Sequence, residues 1–164
     1  MSDNLADRFL WPPDFEPEKC PVHAHNELRI AAPRELVWNW LIHATSWPEW
    51  YSNSEDVRFE SPPGPDLALG TKFNWKTFGV RIGCVVKDFV PNEYLSWQAD
   101  FTGGSALHAW AIEGQDDGCL VVTEETQHGS VPDQRGEVMR DGLLKYHQAW
   151  LEGLAAQCAK GPPQ

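Results

Sequence analysis

Between Asp56 and Gln127 the chain runs through six short segments of alternating apolar and polar residues: DVRFES, TKFNWKTF, VRIGCVVKDFV, YLSWQADF, LHAWAIE and CLVVTEETQ. A period of two marks a strand with one buried face. The breaks between the last five are short and carry Gly79, Pro91-Asn92, Gly103-Gly104 and Asp117-Gly118, residues that supply the positive or fixed φ a tight antiparallel connection needs. Each strand is therefore expected to pair with the next in a meander. After Pro132 the period changes, with Met139, Leu143, Tyr146, Trp150, Leu154 and Cys158 recurring every three or four residues in one long helix. An antiparallel sheet has one face to bury, and this helix is the large apolar partner available. The sheet should curl around it, and a cavity opens if bulky residues line the enclosed space instead of filling it.

The upstream half adds an edge. Val22, Ala24, Asn26, Leu28 and Ile30 alternate with His23, His25, Glu27 and Arg29, which reads as a further half-buried strand. In AAPRELVWNWLI, Pro33 suits the first helical position and Glu35 complements the helix dipole in the first turn. Leu36, Val37, Trp40 and Leu41 form the inner stripe of this helix, and Trp38 and Ile42 a second apolar edge. Pro48 is expected to end or bend the run. Residues 1–20, rich in Asp, Glu and Pro with Phe9, Leu10, Trp11 and Phe15 among them, read as an arm lying on the domain. Residues 21–160 form the domain itself and 161–164 a tail. In the terminal helix Gly136, Gly142 and Gly153 each cost about 1 kcal/mol relative to alanine, which points to a bend or a close approach to the sheet.

Composition narrows the partners. A formal charge of -11 with no cluster of Lys and Arg argues against nucleic acid and acidic membrane surfaces. No apolar run approaches the roughly 20 residues of a membrane span, and the start MSDNLADRF lacks the pattern of a secretory signal, so a cytoplasmic protein without membrane insertion is expected. Cys20, Cys84, Cys119 and Cys158 lie far apart without zinc-ligand spacing and read as reduced thiols. His23 and His25 share a strand face but lack an evident third ligand, and Glu27 and Arg29 beside them favour a solvated surface; no metal and no cofactor are expected. Nine tryptophans are the departure from the ordinary. Indole is bulky and its N–H wants a partner when buried, which suits an apolar wall with polar handles.

The stretches IAAPRELVWNWL, SWPEWYS, GTKFNW, HAWAIE and DGCLVVTEETQHG, in this order and spacing, resemble the START-like, Bet v 1-like superfamily, often labelled polyketide cyclase/dehydrase and lipid transport. The resemblance covers almost all of residues 21–155. It implies an α+β helix-grip fold: seven curved antiparallel strands around a long C-terminal helix, with two short helices after the first strand. Function is left open, since such members range from lipid carriers to cyclases, hydroxylases and chaperone activators. The resemblance also places SWPEWYS beside the cavity entrance, where Trp47, Trp50 and Tyr51 would act as a lid or gate.

Alternation places His108, Trp110 and Ile112 on one face of LHAWAIE, the bulkier face and the one expected to line the cavity. In CLVVTEETQ the choice lies between Cys119, Val121, Thr123 and Glu125, and Leu120, Val122, Glu124 and Thr126. The resemblance favours the Glu125 set, and a register error of one residue would exchange Glu124 for Glu125. A His and a Glu in one apolar chamber can abstract a proton next to a carbonyl, so His108 and Glu125 are the candidate catalytic pair. The alternative is a His108 hydrogen-bonded to Trp or backbone, with Glu125 at a wet rim. On the terminal helix Tyr146 falls on the inner stripe and His147 at its border. The expected ligand-binding set is Trp47, Trp50, Tyr51, Phe73, Trp75, Trp97, His108, Trp110, Glu125, Leu143, Tyr146 and Trp150. Together these readings point to a carrier or sequestering domain for a small hydrophobic molecule, lipid-like or polycyclic. A cyclase or dehydratase using His108 and Glu125, and a protein-interaction module like the chaperone activators, are the alternatives.

Overall fold

The computed structural model describes residues 4–164; the first three residues of the expected arm lie outside them. Its elements are β1 (Val22–Ile30), α1 (Arg34–Ile42), α2 (Trp47–Trp50), β2 (Glu55–Ser61), β3 (Lys72–Thr77), β4 (Val80–Val90), β5 (Tyr94–Phe101), β6 (Gly104–Gln115), β7 (Gly118–His128) and α3 (Ser130–Cys158). The seven strands form one antiparallel sheet in the order β1-β7-β6-β5-β4-β3-β2. Sequential strands from β3 to β7 are neighbours, as the short turns require; β2 pairs with β3 across a longer loop, and β1 closes the far edge against β7. No helix among the described residues is long and apolar enough to cross a membrane.

The concave face of the sheet holds the main core. Trp75, Trp97, Trp110, Ile112 and Val121 from the strands meet Trp150, Leu151 and Leu154 from α3, with Val37, Trp38 and Leu41 of α1 closing one end. The strand alternation that places these side chains inward also leaves Ala109, Ala111 and Val122 on the convex side. There Leu5 and Phe9 of the N-terminal segment cover them and form a second, smaller core with Tyr94. The segment is pinned by Arg8 on Glu113, by Leu10 N–H donating to the Tyr94 hydroxyl at 3.0 Å, and by Thr126 Oγ1 donating to the Phe15 carbonyl at 2.8 Å.

Two local expectations are corrected. Pro33 is the residue before the first turn of α1 and not inside it. Pro48 does not end α1, which stops at Ile42; it is the second residue of α2, where its fixed φ and missing N–H suit a helix start. Bending of α3 does occur. Arg135, next to Gly136, leaves helical geometry at φ -128° and ψ 20°, so the first turns run at an angle to the rest.

Candidate functional site

Between the sheet and α3 lies a cavity of about 410 Å³, within the size range of small-molecule sites. Trp75 of β3, Ile82 of β4, and Trp97 and Ala99 of β5 form one wall. Met139, Leu143 and Trp150 of α3 form the other, and Tyr51 lies flat on Trp150 with ring centroids 4.4 Å apart. The exposed members of the lining mark the mouth. Phe78 and Val80 sit at the β3–β4 turn and Val138 on α3, at 44%, 53% and 64% exposure. The chamber therefore opens between that turn, the β5–β6 turn at Thr102 and the bent first half of α3.

Beside the aromatic wall, with the His108 ring 4.9 Å from that of Trp97 and 5.6 Å from that of Trp150, three polar side chains from three elements converge. His108 comes from β6, Glu125 from β7 and His147 from α3, and all three are buried in the cavity wall. Register sets the first two side by side, since His108 and Glu125 are directly paired across β6 and β7. Glu125 Oε2 lies 3.2 Å from His108 Nδ1 and 3.3 Å from His147 Nε2, while Oε1 accepts a 2.6 Å hydrogen bond from Gln127 Nε2. On the other side of its ring, His108 Nε2 lies 2.7 Å from Thr123 Oγ1, and the Thr123 hydroxyl donates to the Ala109 carbonyl at 3.0 Å. With its hydroxyl turned to Ala109, Thr123 is placed to accept from His108, and in the tautomer that makes this bond the ring proton is on Nε2 and the Nδ1 lone pair faces the carboxylate. Burial, and next the neighbouring His147, hold His108 well below the usual imidazole range, so the ring is neutral.

Tyr51 adds a donor. Burial is the largest cause pushing its phenol up, and the nearby Glu125 carboxylate acts in the same sense, so the hydroxyl keeps its proton at neutral pH. Its oxygen accepts from Asn53 Nδ2 at 3.3 Å, which leaves the O–H itself to donate. Trp150 Nε1 and His147 Nδ1 are buried without an acceptor among the described residues.

Of the expected ligand-binding residues, Tyr51, Trp75, Trp97, His108, Glu125, Leu143 and Trp150 line the chamber. Trp47, Trp50, Phe73, Trp110 and Tyr146 do not. Trp47 is fully buried, donates Nε1–H to the Leu41 carbonyl at 3.0 Å, and stands edge-on to Phe73, Trp75 and Trp150. Trp50 packs on Trp40 and against Gly153. Neither ring lies at the mouth, so Trp47 and Trp50 form a plug behind the aromatic wall and not the gate that the resemblance implied, while Tyr51 faces the chamber. Phe73 and Trp110 are buried one layer behind the cavity surface.

Tyr146 is only half-buried and stands edge-on to Phe78 at 5.3 Å, while His147 occupies the inner stripe at 2% exposure. The signal for His147 was its spacing, four residues after Leu143 and three before Trp150; apolar character favoured its neighbour. Glu124 turns to the opposite side of the sheet, where it lies 3.1 Å from His23 Nε2 and 2.6 Å from His25 Nδ1. The solvated face expected for these two histidines is in fact partly covered and ordered around one carboxylate.

The pattern of the family described as polyketide cyclase / dehydrase and lipid transport matches residues 21–159. The chain belongs to that family. Among solved structures, the hypothetical protein jhp0584 from Helicobacter pylori superposes with a TM-score of 0.83 at 26% identity, over 90% of this chain and 94% of that one. Protein MLL2253 from Mesorhizobium loti gives 0.66 at 20%, over 86% and 99% of the two chains. The di-domain ARO/CYC StfQ from the steffimycin biosynthetic pathway gives 0.69 at 14%, over 82% of this chain and 49% of that one. These likenesses concern the fold. No curated protein matches the sequence.

Proposed function

We propose that the chain binds one small, flat, largely apolar molecule in the chamber between the sheet and α3, as a carrier or sequestering domain. The observation that carries this reading is an internal cavity of about 410 Å³ walled by Trp75, Trp97 and Trp150, with His108, Glu125 and His147 meeting in its wall. Indole faces favour stacked or edge-on aromatic guests, and Tyr51 O–H offers a hydrogen bond to a guest oxygen. The test is uptake of an apolar fluorescent probe, 1-anilinonaphthalene-8-sulfonate, with quenching of the tryptophan emission, alongside mass spectrometry of organic extracts from the purified protein. Saturable one-to-one uptake, blocked when Ala99→Trp fills the cavity, is expected. Uptake untouched by that substitution would place the probe elsewhere and remove the reading.

A second reading is an acid–base enzyme acting on a carbonyl compound, and the meeting of His108, His147 and Glu125 favours it. A neutral imidazole with its Nδ1 lone pair beside a carboxylate can take a proton from a carbon next to a carbonyl. Tyr51 O–H can then donate to the enolate oxygen. Likeness to a protein named as an ARO/CYC di-domain suggests poly-β-ketones as the compounds to try first. His108→Gln should remove turnover of such a compound while probe affinity and near-UV circular dichroism stay unchanged; equal turnover would sink the assignment.

A further inference from the structure

We propose that His108 Nδ1, His147 Nε2 and Glu125 Oε2 form a binding site for a single divalent first-row transition metal ion, zinc being the one whose geometry fits best. The three atoms lie within 4.8 Å of one another, and the two separations from Oε2 are 3.2 and 3.3 Å. Ligands held about 2.0–2.1 Å from a zinc ion at tetrahedral angles stand roughly 3.3 Å apart. The two edges that meet at Glu125 Oε2 already have this length, and the two imidazole nitrogens lie within 4.8 Å of each other.

Hydrogen bonding around the cluster points the same way. In the tautomer that donates Nε2–H to Thr123 Oγ1, His108 Nδ1 and the carboxylate oxygen face each other as two electron pairs. A proton or a metal cation between them satisfies both, and the two compete for that position. A ligating imidazole commonly donates its other N–H to a fixed acceptor, which orients the ring and strengthens the ligand, and Thr123 stands in that position. Gln127 does the equivalent for Glu125, holding Oε1 and leaving Oε2 for the ion.

Two imidazoles and one carboxylate suit Zn²⁺, Fe²⁺ or Co²⁺ and not Mg²⁺ or Ca²⁺, which prefer oxygen alone. Three protein ligands with an open side make a site that takes water or a guest atom in the remaining position. Here the remaining side is the chamber, since all three residues line it. On the guest-binding reading, a bound guest with a carbonyl or phenolate oxygen would complete the coordination sphere, whereas metal binding itself does not depend on that reading.

The experiment uses the full-length protein, stripped with a chelator and titrated with Co²⁺ by visible spectroscopy and with Zn²⁺ by calorimetry. One equivalent per chain is expected, with Co²⁺ d–d bands of a four- or five-coordinate ion that Zn²⁺ abolishes. His147→Gln and Glu125→Gln should lose this equivalent, and Thr123→Val should weaken it by about 10- to 100-fold. His23→Ala should leave it unchanged, because that imidazole lies on the opposite side of the sheet beside Glu124. Absence of a stoichiometric Co²⁺ complex in the unsubstituted protein, or undiminished affinity in His147→Gln, overturns the proposal. Should the core substitutions unfold the chain, X-ray absorption of the unsubstituted Zn²⁺ complex decides: two imidazoles in the first sphere support the site, and none overturns it. Uptake of 1-anilinonaphthalene-8-sulfonate by the stripped protein separates the two readings, since it depends on the cavity and not on the ion.

Discussion

Trp47 is buried to 0% exposure, and its indole ties α1 to the sheet and to α3 at once. Its Nε1–H is spent on the Leu41 carbonyl and its ring edges meet three other aromatic side chains, so truncation leaves both a void and an unpaired carbonyl. Trp47→Ala is expected to lower the free energy of unfolding by about 3–5 kcal/mol in urea titrations. On the convex side, His25 titrates under opposed influences. Partial burial, the largest, lowers its pKa, while hydrogen bonds to Glu124 and Glu27 raise it, and the net shift is upward. Its charged form is therefore favoured in the folded state. The stabilisation is fully present below the unfolded value of about 6.5 and fades as pH rises through the higher native pKa. Thermal unfolding of the parent and His25→Ala should differ most near pH 5.5 and converge above that native value. A constant difference across the range would show that His25 acts through packing alone.

Helix α3 carries the division between what a residue prefers and where it is placed. Gly153 and Gly142 are both helical, and alanine is intrinsically better in each by about 1 kcal/mol. A Cβ at 153 would meet Trp50 Cε3 at 2.9 Å, against an indole wedged on Trp40, so Gly153→Ala should lower the melting temperature in spite of the helical gain. At 142 the nearest atom is Phe78 Cε1 at 3.4 Å, an ordinary separation from a ring at the exposed mouth, so Gly142→Ala should raise stability by up to about 1 kcal/mol. The helix itself was legible from its period, and close approach at a glycine was expected from the cost of keeping one there. Which glycine meets which ring was not, because α3 begins 80 residues after α2 ends. The same holds for Tyr146 and His147: adjacent residues on one stripe differ in exposure by the phase at which α3 lies on the sheet, and sequence period does not fix that phase.

The molecule as a whole is a sheet wrapped around one helix, hollow on one side and filled on the other. Its hollow opens through exposed apolar residues at turns and at the bent start of α3, away from the plug of Trp47 and Trp50. Val138→Glu and Val80→Glu should slow the uptake of 1-anilinonaphthalene-8-sulfonate in stopped-flow fluorescence, with stability changed by no more than about 0.5 kcal/mol since both side chains are exposed. Unaltered uptake rates in both would move the entrance elsewhere.

Local pattern alone determined the strands, the turns between them, the terminal helix and the side of the sheet on which His108 and Trp97 lie, because alternation and period are properties of neighbouring residues. The pairing of His108 with Glu125, and the turning of Glu124 toward His23 and His25, hung on a register that the sequence narrowed to two choices and the ladder between β6 and β7 decided. Only the tertiary structure brought His147 to the same carboxylate oxygen and separated the aromatic residues that line a space from those that fill one. Whether a side chain borders a cavity depends on what stands across from it, and that neighbour is set by the packing of distant elements.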